Sequence, residues 1–397
     1  MSLTRRQLLG GAAVGLGGAV VGVGAGAAVA SSAEDAPDST TYGQQTVPFF
    51  GAHQSGIQTP AQAYAVFSAY DLGAEADLAS VARMMRLLSD DAARLTQGVP
   101  ALADLDEELA LSPSRLTVTF GFGPRFFDII NRPEQRPSSC AQLPSFSIDA
   151  LQDKWSGGDL LIQICGDDAM AVSHARRMLW KDTRAFAIKR WQQNGFLDAR
   201  GSQQPGATPR NLMGQVDGTT NPRTDDDFDV TVWNQDPPSW FVGGTMLAIR
   251  RIAMNLETWD AVSRADRENS IGRRLANGSP LTGRDEFDAL DLSAVDDRGL
   301  PVISDFAHVR RAHTGPQAPF LRRGYNYDLG TTAGGVTDAG HVFTAYAANL
   351  DTQFIPVQQT LADQDLLNVW TTPIGSAVFA LPPGASAGGW VGEGLLG

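Results

Sequence analysis

Twice along this chain the apolar pattern alternates between period two and helical spacing in the same order: strand, helix, strand, strand, helix, strand. In the first half, strands are expected over 64–72, 116–121, 159–165 and 185–191, with helices over 75–95 and 167–181. The second of these helices opens on Asp167 and Asp168 and closes on Arg176, Arg177 and Lys181, the charge order a helix dipole favours. In the second half the same order runs through 240–256, 257–266, 324–329, 341–348, 351–367 and 377–381. Each set is the split βαβ pattern of a ferredoxin-like unit. The expectation is an α+β protein of two tandem ferredoxin-like domains with antiparallel sheets, one over 46–205 and one over 206–397. The two halves share an order of elements, with no residue-level similarity. Residues 192–209, rich in Gly, Gln and Pro, read as the link between them. An insertion over 267–323 is too long for an ordinary connection, which marks it as functional.

The N-terminus reads as a targeting segment. Thr4-Arg5-Arg6-Gln7-Leu8-Leu9 is a twin-arginine start, and Ala28-Val29-Ala30 offers the small residues of a cleavage site. The intervening run is uncharged and long enough to span a membrane, but its Gly and Ala make it only mildly hydrophobic. A cleaved signal over 1–30 and a flexible lead-in over 31–45 are therefore expected, with no stable membrane anchor afterwards. Twin-arginine machinery carries proteins already folded, often with a cofactor in place. The expected location is periplasmic, cell-envelope or secreted. A formal charge of −13 argues against nucleic acid as a partner. Two cysteines exclude a disulfide framework or a thiolate metal cluster. One disulfide stays open, although Cys165 ends an apolar run and reads as a buried hydrophobe.

Few signatures of chemistry stand out singly. No HExxH, Cys/His zinc spacing, Walker loop, strand-linked GxGxxG or GxSxG elbow occurs. Gly214 and Gly218 bracket Asp217 on what should be a tight turn, yet Asp-Gly and Asn-Pro are ordinary turn dipeptides. His308 and His313 lie in the insertion, and a lone histidine is more often structural than a ligand. Asp225–Asp227 with Asp229 reads as a solvated acidic loop rather than a cation site.

Together, GQVDG at 214–218, IGRR at 271–274, AHVRRAH at 307–313 and LRRGYNYDLG at 321–330 resemble the dye-decolourising peroxidases. The twin-arginine start and PFFGAHQSGIQTP at 48–60 are similar to the exported branch, which also contains deferrochelatase-type proteins. The resemblance runs on to WTTPIGSAVFALPPG at 370–384. It implies one haem b (iron protoporphyrin IX) per chain, between the halves and held mainly by the second. His308 matches the proximal iron ligand, whose second ring nitrogen needs an acceptor that the sequence does not identify. Asp217 matches the distal acid/base, Arg322 the distal arginine, and Arg273 an arginine that pairs with a haem propionate. Gly218, Thr219 and Thr220 fall where the family lays backbone against the haem edge. The chain departs from the family five residues after His308, where relatives carry Asn-Pro and this chain has His313-Thr314. His313 is thus a candidate partner for a propionate, or a rival for the iron.

The implied activity is reduction of hydrogen peroxide with one-electron oxidation of dyes or phenolic donors. An aspartate base, with an ordinary pKa near ~3.9, implies an acidic optimum. Electrons from bulky donors would pass through surface Trp or Tyr, and the sequence does not rank its eight tryptophans. Two alternatives share the pocket: release of iron from haem, and haem carriage without catalysis.

Overall fold

Four strands of the first half pair along their full lengths: β1 (Tyr64–Leu72), β2 (Thr117–Phe122), β3 (Leu160–Gly166) and β4 (Ala187–Phe196). The computed structural model describes residues 43–204, 206–313, 315 and 319–397; the expected signal segment 1–30 and nearly all of the lead-in lie outside the described residues. Between the strands run α1 (Leu78–Thr96), the short α2 (Phe126–Ile129) and α3 (Ala169–Thr183). Both long helices start later than the sequence suggests, because an aspartate stands outside each as its cap. Asp77 accepts the amide of Ser80, and Asp168 that of Met170. Asp167 is left outside α3 and pairs with Arg115 and Arg200. Strand β4 runs five residues past its expected end, since its partner β1 offers register as far as Phe196.

The second half contributes α4 (Asp225–Thr231), β5 (Thr245–Met254), α5 (Leu256–Asp260), α6 (Arg264–Ile271), α7 (His308–Ala312), β6 (Leu321–Arg322), β7 (Tyr325–Thr331), β8 (Thr337–Ala347), α8 (Leu350–Gln364), β9 (Thr371–Leu381) and α9 (Glu393–Leu396). The single helix expected over 257–266 is two, because Asn255 and Ser263 each cap a new start. The acidic run at 225–227 forms the first turn of α4 rather than a loop, where Thr224 and Asp227 make a capping box. Asp365 ends α8 and begins a 3-10 turn over Leu366–Val369.

All pairings between these strands are antiparallel. In the first half the order across the sheet is β4-β1-β3-β2; in the second it is β9-β5-β8-β7. Both place fourth, first, third and second strand side by side, so the repeated order of elements builds the same sheet twice. The halves meet at two seams, Phe122 opposite Ala380 and Phe196 opposite Asn326, which close eight strands into a ring. Strand β6 lies along the upper part of β8, and β7 continues along its lower part after a break at Arg323 and Gly324. Helix α8 packs on β5 and β8 and carries α7 on its flank. Cys140 and Cys165 are both buried and both free, so the disulfide left open by the sequence does not form. Burial pushes the Cys140 thiol up to about 12.

Candidate active site

The turn that carries Asp217 is pinned from several sides. Arg210 bridges to Val216, the amide of Asn211 donates to the Gln215 carbonyl, and that of Asp217 to the Pro209 carbonyl. The Arg210 guanidinium donates to the carbonyls of Gly214, Leu275 and Ala276, tying the turn to the chain beyond α6. Gly218 has φ +126° and faces Asn221, a conformation and a closeness that a side chain would strain. Asn221 holds the next piece in place. Its Nδ2 donates to the Arg322 carbonyl at 2.6 Å, and its Oδ1 accepts the Arg322 amide at 3.0 Å.

This two-point tether sets Arg322 beside Asp217, with Nε 3.7 Å from Oδ1. Arg322 and its neighbour Arg323 face opposite ways. The Arg323 guanidinium is buried against Gln62, Tyr325 and Cys165, and so serves the core. Among the described residues Arg322 Nε makes no hydrogen bond and meets Asp217 as an ion pair only. Asp217 and Arg322 open onto a cavity of about 650 Å³, lined also by Thr59, Leu197, His341 and Phe343. A larger hollow, about 800 Å³ beside Asp77 and Leu396, contains none of the candidate residues. Burial works against ionisation of Asp217, but the Arg322 charge, with His341 and His308, outweighs it and holds the carboxyl below its usual range. The carboxyl is 31 % exposed, and the cavity is what it is exposed to.

On the other side, His308 opens α7 and directs Nδ1 at Asp365 Oδ2, 2.6 Å away. Asp365 is 5 % exposed and also accepts the amide of Leu367, so the carboxylate cannot swing away. Burial disfavours the imidazolium, and the Asp365 charge overcomes it, raising the basicity of His308. The acceptor missing from the sequence reading is this aspartate. At Gly272, left-handed at the end of α6, a Cβ would collide with Val309 and crowd Ile303 and Ala307. Helix α6 therefore seats directly against α7, with Arg273 next in line.

Arg273 is 9 % exposed rather than a solvated helix-end charge. It donates to the carbonyls of Gly278 and Glu286, and burial, then Arg322, pushes its pKa down. Thr219 and Thr208 both donate to the Glu286 carboxylate, at 2.9 and 2.6 Å, so the insertion braces the turn that carries Asp217. Thr220 is exposed. His313 is exposed at the end of α7, where its amide donates to the Arg310 carbonyl, and it does not join the cluster. Asp217, Arg322, His308 and Arg273 are thus brought together. Asp365, Asn221 and Glu286 were missed, and only Asn221 carried a signal, as part of a turn dipeptide.

Among the described residues no group of three or more His, Cys, Asp or Glu could hold a metal ion. A single imidazole backed by a carboxylate suits one axial bond to a metal that a macrocycle already holds. Arg273, buried and hydrogen-bonded only to backbone carbonyls, suits an anionic partner.

Residues 54–197 match the Dyp-type peroxidase, N-terminal family and residues 208–386 the Dyp-type peroxidase, C-terminal family. The chain belongs to the Dyp-type peroxidases. A dye-decolorizing peroxidase of Thermobifida fusca is 41 % identical over 361 residues, 87 % of this chain and 84 % of that protein. The Escherichia coli K12 deferrochelatase is 34 % identical over 371 residues, 88 % and 87 % of the two chains. The crystal structure of a DyP-type peroxidase from Cellulomonas bogoriensis superposes with a TM-score of 0.87 at 47 % identity, covering 90 % of this peroxidase and 99 % of the other. Ferric DtpA from Streptomyces lividans gives 0.87 at 40 %, covering 91 % of this chain and 100 % of that one.

Proposed function

We propose that this haem peroxidase cleaves hydrogen peroxide with Asp217 and Arg322 on one side of the haem and His308 on the other, and draws its electrons singly from dyes or phenolic donors. The observation that carries the assignment is an Asp217 paired with Arg322, near enough to His308 for their charges to act on each other, while His308 is engaged by Asp365. His308 Nε2 would hold the iron, with Arg273 against a propionate. Haem, when bound, supplies the metal that receives peroxide and the electrons that break its O–O bond. Asp217, ionised, takes a proton from one peroxide oxygen and returns it to the other, so that the departing oxygen leaves as water. Arg322 stabilises the negative charge that gathers on that oxygen and does not itself titrate. With its carboxyl held low, Asp217 stays a base into the acid range, which supports an acidic optimum.

Stopped-flow absorbance of the haem-loaded protein mixed with peroxide tests this. Asp217→Ala and Arg322→Ala are each expected to slow the Soret change by about 10²–10⁴-fold, and His308→Ala to lose the haem. A wild-type Soret band indifferent to peroxide, or fastest turnover above neutrality, would refute the assignment. A second reading, release of iron from haem, rests on the 34 % identical deferrochelatases. Fluorescence of iron-free porphyrin on turnover would favour it, and intact haem would exclude it. Export through the twin-arginine pathway is supported by Arg5-Arg6 and the small residues at 28–30. Replacing both arginines by lysine should hold the protein in the cytoplasm.

A further inference from the structure

His341 belongs to no motif of the sequence, yet it lines the cavity onto which Asp217 and Arg322 open. It lies in β8, opposite Ile252 of β5 and Asn326 of β7, and is 6 % exposed. Its ring lies against Gly324, at the break between β6 and β7, where a Cβ would collide with Nε2. That glycine is therefore what admits an imidazole at this point. Nε2 stands 3.8 Å from Asp217 Oδ2, while Arg322 Nε stands 3.7 Å from Oδ1. Each oxygen of one carboxylate thus faces a different nitrogen. Nδ1 of His341 has no hydrogen-bond partner among the described residues, so nothing else fixes the ring as a donor or acceptor. A buried imidazole with an orphaned nitrogen is a costly way to fill space.

We propose that His341 is a positioning residue of the distal site: its Nε2–H faces Oδ2 of Asp217, holding the carboxylate ionised and oriented from the side opposite Arg322. The inference rests on Asp217 being the distal acid/base. The charged groups that face His341 are Asp217 and Arg322; Ile252, Asn326 and Gly324 carry none. Burial first, against the pull of Asp217, lowers the basicity of the ring, so near neutrality it acts as a neutral donor. At lower pH it becomes a cation beside the same oxygen. Both states favour the aspartate anion, so removing the ring must make Asp217 easier to protonate.

The test uses haem-loaded wild type, His341→Phe, His341→Gln and Asp217→Asn, read two ways across the acid range. One reading is the pH dependence of peroxide cleavage; the other is azide affinity, followed by Soret titration, which reports the distal base without turnover. His341→Phe is expected to move the acid limb of both upward by about one pH unit. His341→Gln, which keeps a donor, should restore most of the shift. A folded, haem-loaded His341→Phe whose limbs stay at the wild-type pH overturns the proposal. Should that variant fail to fold, proton NMR of the diamagnetic zinc-protoporphyrin form decides instead. Its His341 midpoint must fall when Asp217 becomes Asn, and an unmoved midpoint overturns the proposal equally. An acid limb that survives in Asp217→Asn refutes the role of Asp217 itself. A limb lost there but unmoved in His341→Phe refutes only the role of His341.

Discussion

Asp365 lies 57 residues from the histidine it serves, and nothing in the local sequence joins them. Its position at the end of α8 gives it two tasks, since one oxygen starts the 3-10 turn and the other receives the His308 ring. A carboxylate in that place fixes the tautomer and would strengthen Nε2 in the iron-binding role proposed for it. Replacing it with asparagine keeps the shape and removes the charge. Asp365→Asn is expected to weaken haem affinity or slow peroxide cleavage by about 10–100-fold, measurable by haem titration and stopped flow. Unchanged values in both would mean that the charge is irrelevant to His308.

At the level of elements, two strand ends and a turn must agree within a fraction of an ångström for Asp217 and Arg322 to act together. Asn221 enforces that agreement with two hydrogen bonds to the Arg322 backbone. Asn221→Ala leaves both groups without their partner and is expected to cost about 1–3 kcal/mol of stability. Cleavage of peroxide should fall further than haem binding does, because His308 lies on a different element. Equal losses in both would show that the tether only supports the fold. The sequence disclosed the elements well, because the apolar runs of β1 and β3, buried on both faces, and the helical spacing of α1 follow directly from burial. It placed the element ends poorly where an aspartate or asparagine decides them, as at Asp77, Asn255 and Asp365. The four motif residues Asp217, Arg273, His308 and Arg322 were legible through the resemblance alone. His341 and Glu286 were not, because each acts across the fold rather than along the chain.

Stability of the whole molecule carries its own pH dependence, set far from the cavity. Between α1 and α3, Asp182 is pushed up to about 7 by burial and then by the charge of Asp91. Asp91, which also accepts the Leu102 amide, is itself raised by burial. A carboxyl raised in the folded state holds a proton that the unfolded chain releases near ~3.9. The folded state therefore binds more protons between about 4 and about 7, and stability declines as pH rises through that window. Above it the full penalty remains. Asp182→Asn should raise the melting temperature by a few degrees above neutrality and flatten the decline below it, with little change at the acid end. Calorimetry over pH checks this, and a variant that melts earlier at every pH would contradict it.

The two seams give the ring of strands a property that neither half would have alone. An ordinary open sheet ends in two edges whose free amides and carbonyls invite another chain to pair. Here each half covers the other's outer strands, β2 by β9 and β4 by β7. The arrangement joins four would-be edge strands in one closure, through one paired position at each seam. Its weakness follows from the same fact: loosening either seam would free two edges at once, and molecules would begin to stick there.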